Sequence, residues 1–173
     1  AYNIYDVSLM FSPKLVKTVA ASMDDTTLSN LDPAMLYVFR VRATDTNQTE
    51  DENTKDLGAI PYGGATTVDV LDSTSAVIHF NDASNADQAL VYCSTLLDPV
   101  EKEMAVVTNV ATTQVTLTQL AAGEQYSCRV ALMISGIIDN NTNKVSFTPI
   151  GTASQLSFLT QPSSAAAGVN FSK

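Results

Sequence analysis

The sequence predicts an all-β protein built from tandem repeats, and three observations carry that expectation. An eighteen-residue segment, Thr26 to Ala43, recurs as Val115 to Leu132. Apolar residues alternate with period two in both copies, the signature of half-buried strands. No stretch shows the three-to-four spacing of an amphipathic helix.

The recurrence holds in a single frame. Thr27, Leu28, Leu31, Tyr37, Arg40 and Val41 each recur as the same residue 89 positions later, at Thr116, Leu117, Leu120, Tyr126, Arg129 and Val130. In the first copy Tyr37, Phe39 and Val41 share one face of a strand, with Val38, Arg40 and Arg42 on the other. In the second, Tyr126, Cys128 and Val130 point inward, with Ser127 and Arg129 outward. A short turn, Asp32-Pro33-Ala34 or Ala121-Ala122-Gly123, separates each strand from a preceding β-rich segment.

Leu-x-x-Leu, a short turn, then Tyr-x-x-Arg-Val resembles the E strand, E–F corner and F strand of a fibronectin type III domain. The resemblance implies two immunoglobulin-like sandwiches in tandem, with Tyr37 and Tyr126 bonding back to the turn backbone as a tyrosine corner. The family's strand-B tryptophan is absent, and Phe80 stands in its place.

Further strands are expected around this anchor. Thr66 to Leu71 and Ala76 to Phe80 alternate, with Ala76, Ile78 and Phe80 inward and His79 outward. Leu90 to Thr95 and Met104 to Asn109 follow. In the first copy Tyr2 to Met10 and Leu15 to Ala20 resemble that pair. Asn-rich Asp139 to Asn143 reads as a hairpin turn before a last strand over about Lys144 to Pro149.

The frame is permuted. Residues 63–151 run through a whole sandwich, whereas residues 1–62 lack its first two strands. Their counterparts lie in residues 152–173. Leu156 and Phe158 match Val68 and Val70, and Ala167, Val169 and Phe171 match Ala76, Ile78 and Phe80. A sandwich without its first two strands has an open core and unpaired edges, both costly. Residues 152–173 are therefore expected to act as donor strands completing the first domain of the next unit. The partner is then another copy of this chain, head to tail, and a contact that does not close on itself makes a filament. A fragment of a longer array, or a chain closed on itself, uses the same strands.

Composition narrows the function. With 45% hydrophobic and 16% charged residues the 173-residue chain can build cores. A net charge of −9 argues against nucleic acid, which needs a basic stripe. No apolar run reaches membrane-spanning length. His79, the only histidine, has no nucleophile motif beside it, and no glycine-rich phosphate loop occurs, so neither an enzyme nor a cofactor is expected. The acidic stretch Asp45 to Asp56 lacks the spacing of a calcium loop and reads as a solvated F–G loop. Cys93 and Cys128, the only cysteines, fall inward on neighbouring strands, where a disulfide and two buried thiols both fit. Asn47, Asn140 and Asn170 head N-glycosylation sequons, Asn47 and Asn140 in the two F–G loops. The expectation is an extracellular or cell-surface structural subunit of a fibre. The alternatives are a ligand- or receptor-binding ectodomain module from a longer array and, third, an enzyme-accessory domain.

Overall fold

The computed structural model describes residues 1–9 and 12–150. All regular structure in them is β: β1 (Tyr2–Asp6), β2 (Lys14–Val19), β3 (Tyr37–Ala43), β4 (Asp56–Ala59), β5 (Ala65–Val70), β6 (Ala76–Phe80), β7 (Gln88–Thr95), β8 (Lys102–Val107), β9 (Gln114–Leu117), β10 (Tyr126–Ile134), β11 (Ile137–Ile138) and β12 (Val145–Phe147). None of the described residues is helical, so no described helix is long and apolar enough to cross a membrane.

The strands form three antiparallel sheets. The first has the order β2-β1-β3-β4. The second has the order β11-β10-β7-β8, with β12 also on β10, and the third is β5-β6-β9. The second and third sheets pack face to face around Ala76, Ile78 and Phe80 of β6, Val91 of β7, and Cys128, Val130 and Leu132 of β10. The inward set of β6 alternates strictly with half-buried Val77 and His79, as a strand with one covered face requires.

The repeat extends beyond the recurring segment. Pairing of Ile4 with Val41 between β1 and β3 is repeated by Val91 with Val130 between β7 and β10. Tyr5 faces Arg40 and Tyr92 faces Arg129 in the same registers. Left-handed backbone recurs too: Asn30 (φ 60°) and Gln119 (φ 61°), then Ala34 (φ 56°) and Gly123 (φ 77°). The amide of Ala34 donates to the Pro61 carbonyl (2.7 Å), and that of Gly123 to the Pro149 carbonyl (2.8 Å).

Two expectations need correction. Thr26 to Leu31 forms no strand, although its counterpart contains β9. β9 exists because β6 pairs with it from Ala76–Leu117 to His79–Gln114, and no described strand offers that edge to the first copy. The two-residue hairpin turn is Ser135-Gly136, not the Asn-rich run. Both residues have positive φ (52° and 77°), the type I′ turn that suits the twist of paired strands. The two copies also differ in cover: Val41 is 37% exposed where Val130 is fully buried, since the face shared by Tyr37, Phe39 and Val41 has no second sheet over it among the described residues.

Candidate interaction site: the inner face of the first sheet

The face of the first sheet equivalent to the core side of β7 and β10 carries Tyr2 and Ile4 from β1 and Tyr37, Phe39 and Val41 from β3. The Tyr37 and Phe39 rings stack at 5.9 Å. Two grooves run along it. One, of about 640 Å³, lies between Leu15 and Lys17, Leu28 and Leu31, and Tyr37 and Phe39. The other, of about 350 Å³, is lined by Tyr2, Ile4, Val19, Met23 and Val41. Their outer wall is the strandless run from Met23 to Leu31, tethered where the Lys17 ammonium donates to the Thr27 carbonyl (2.8 Å). The lining is mixed: Asp6, Lys14 and Lys17 join the apolar side chains of the larger groove, and Asp24 and Asp25 those of the smaller.

The opposite face is closed by polar contacts. Asn3 Nδ2 donates to Glu50 Oε1 (2.6 Å), the Tyr5 hydroxyl donates to the same oxygen, and Arg42 reaches Oε2 (3.4 Å). These donors hold the Glu50 carboxyl below its ordinary range, Tyr5 first. Arg40 grips Asp56 with two bonds (2.7 and 2.9 Å), lowering the Asp56 pKa. In the second copy Lys144 precedes β12 where Asp56 opens β4. Glu101 bridges Arg129 and Lys144 at 2.8 Å each, and its pKa falls through Lys144 first, then Arg129. Arg129 also lies 4.7 Å from the centre of the Tyr92 ring.

The remaining candidate residues take these positions. The Tyr37 hydroxyl accepts the Asp32 amide and the Tyr126 hydroxyl accepts the Ala121 amide, each at 2.9 Å and five residues back. Cys93 and Cys128 are register partners and form a buried disulfide, with Cα atoms 4.1 Å apart. The first copy has no equivalent, because Asp6 faces Phe39 at that register. Asn47 and Asn140 are exposed in the loops after β3 and β11. Leu156, Phe158, Ala167, Val169, Phe171 and Asn170 lie outside the described residues.

His79 pairs with Asp69 across β5 and β6 (2.8 Å). The acidic stretch is organised locally: Asp45 accepts the amides of Asn47 and Thr49 (2.8 Å each), and Asp51 accepts that of Asn53 (3.1 Å). Among the described residues no three His, Cys, Asp or Glu side chains gather as they would around a metal ion.

The sequence reading missed one repeated device. Asn53 Nδ2 donates to the Val41 carbonyl (2.7 Å), and Asn141 Nδ2 to the Val130 carbonyl (2.9 Å). Asp51 and Asp139, two residues earlier, cap the respective Asn amides and donate their own amides to Ala43 and Leu132. Asp-x-Asn after each F-type strand is the visible signal. The two motifs stand 88 rather than 89 residues apart, so the single 89-residue frame passes over them.

No protein-family model matches the sequence, and no curated protein matches it significantly. Solved structures with similar folds include the FN1–FN3 domains of chicken CNTN1, at 10% identity and a TM-score of 0.45, covering 86% of this chain and 53% of that one. This chain thus spans about half of that segment. A two-domain fibronectin type III segment of chicken tenascin is 14% identical with a TM-score of 0.43, covering 87% and 83%. The third fibronectin III domain of the human KIAA0343 protein is 15% identical with a TM-score of 0.46, covering 65% and 100%. The described residues are all-β, and β5–β12 form a two-sheet, immunoglobulin-like sandwich whose tyrosine corner is of the fibronectin type III kind.

Proposed function

We propose that this chain is a structural unit of an extracellular or cell-surface thread, in which sandwiches are joined serially by strand complementation. The observation that carries the reading is the uncovered inner face of the β2-β1-β3-β4 sheet, together with the unpaired run Asp25 to Leu28 beside it. The occupant is residues 155–173 of another copy. Their pattern matches β5 and β6, two of the three strands in the sheet that covers the equivalent face in the second repeat. Leu156, Phe158, Ala167, Val169 and Phe171 then lie against Ile4, Tyr37, Phe39 and Val41. Head-to-tail repetition of such a contact extends indefinitely.

The reading is non-catalytic. The main recess is a groove lined by Leu15, Leu28, Leu31, Tyr37 and Phe39 together with Asp6, Lys14 and Lys17. Two features support a location outside the cytosol: a disulfide, which persists in oxidising compartments, and exposed sequon asparagines in both F–G loops.

Negative-stain microscopy and light scattering of the purified chain test the proposal. Fibres or an oligomer ladder are expected, and Phe171→Asp is expected to abolish them by forcing a charge into the joint. A monodisperse monomer from the parent chain would overturn it and favour a ligand- or receptor-binding module instead.

A further inference from the structure

At the junction after β4 the chain crosses from one repeat into the core of the other. Ile60 and Tyr62 are buried there among β5–β12 side chains, with Ala34 from the E–F corner beside them. The Tyr62 hydroxyl donates to the carbonyl of Asn81, just past β6 (2.8 Å), and Asn143 Nδ2 donates to the Gly63 carbonyl (2.7 Å). The exit from β4 is fixed by the bond from the Ala34 amide to Pro61.

The same exit is built at the far end of the second repeat. The Gly123 amide holds Pro149 as the Ala34 amide holds Pro61. In that 88-residue frame Pro61-Tyr62-Gly63 corresponds to Pro149-Ile150-Gly151. The two positions differ in cover: Tyr62 is 9% exposed and Ile150 is 64% exposed.

We infer that Ile150 is a docking anchor, inserting into the core of a further sandwich of this kind beneath the loop after its second inner strand, as Tyr62 does beneath Asn81. The inference rests on the serial reading above, because the occupant is the sandwich that residues 155–173 open. Continuity with the first junction identifies it: the strand pattern of Leu156 and Phe158 follows Ile150 in the frame in which Val68 and Val70 follow Tyr62. In the same frame Thr152 corresponds to Gly64, whose φ is 74°.

Thiol labelling tests the anchor. Cys93 and Cys128 are the only cysteines and are bonded to each other, so Ile150→Cys introduces the one free thiol. It is placed in the first half of a head-to-tail fusion of two full chains, joined through a copy of residues 83–87 as the missing loop. Ile138→Cys, at a site 46% exposed, serves as the control. Maleimide is expected to label position 150 at least about tenfold more slowly than position 138, because the joint must open first. Labelling at the control rate in the fusion overturns the anchor. If the fusion protects position 150 while single chains stay monomeric, the anchor stands and exchange between chains falls. If single chains form fibres while position 150 labels freely, the anchor falls and the fibre reading stands.

Discussion

At the residue scale the two E–F corners allow matched comparisons. Tyr126→Phe removes the acceptor of the Ala121 amide, and since that amide sits in an exposed turn, water replaces part of the bond. A loss of about 1 kcal/mol is expected in denaturant unfolding, and Tyr37→Phe should act in the same direction. The left-handed positions diverge. Gly123 has open space around its Cα, so Gly123→Ala gains no contact and bears the left-handed penalty, an expected loss of about 1 kcal/mol. At Ala34 that penalty is already present and offset by a methyl group buried at the junction, worth about 0.8 kcal/mol. Ala34→Gly should therefore leave stability nearly unchanged, which thermal melts of the pair would check. The tyrosines were legible through the resemblance of Leu-x-x-Leu, a short turn and Tyr-x-x-Arg-Val to a fibronectin type III E–F corner. Ala34 was not, because nothing in an alanine announces positive φ.

Strands were legible wherever two faces differ. Period-two alternation located β3, β6 and β10; in β3 and β10 the inward Tyr and Val recur, and so does the outward Arg. The same logic failed at Thr26 to Leu31, because a strand is a property of a pair and the sequence of one member does not contain its partner. Polar ties between elements were also hidden, being long-range. Glu101, just before β8, joins Arg129 on β10 to Lys144 beside β12. Its folded pKa lies below the unfolded value, so its contribution is fully present above the ordinary glutamate range and is lost as pH falls through the depressed value. The stability gap between the parent and Glu101→Gln should be constant near neutrality and close in acid. A gap that persists unchanged at acid pH would assign the residue a packing role instead.

On the scale of the whole molecule, the two repeats are expected to respond differently to truncation. Deleting residues 155–173 should leave the β5–β12 sandwich with its unfolding transition intact, since its two sheets pack on each other. The β1–β4 sheet should lose protection against amide exchange, because the four large apolar side chains withdrawn with Ala167 are worth about 1.5–3 kcal/mol each when buried. That sum is comparable to the usual stability margin of a domain. Equal exchange in the parent and the truncated chain would remove the segment from the fold of the first sheet. The disulfide has a further meaning in a chain that bears tension. It closes a span of 35 residues between β7 and β10, while the facing pair in the first repeat, Asp6 and Phe39, closes nothing. Pulled from its ends, the second repeat can yield its flanking strands but must withhold the closed span, about 120 Å of contour length at full extension. The first repeat withholds none. A thread of such units would lengthen in two unequal steps under load, and a reductant would lengthen only the shorter one.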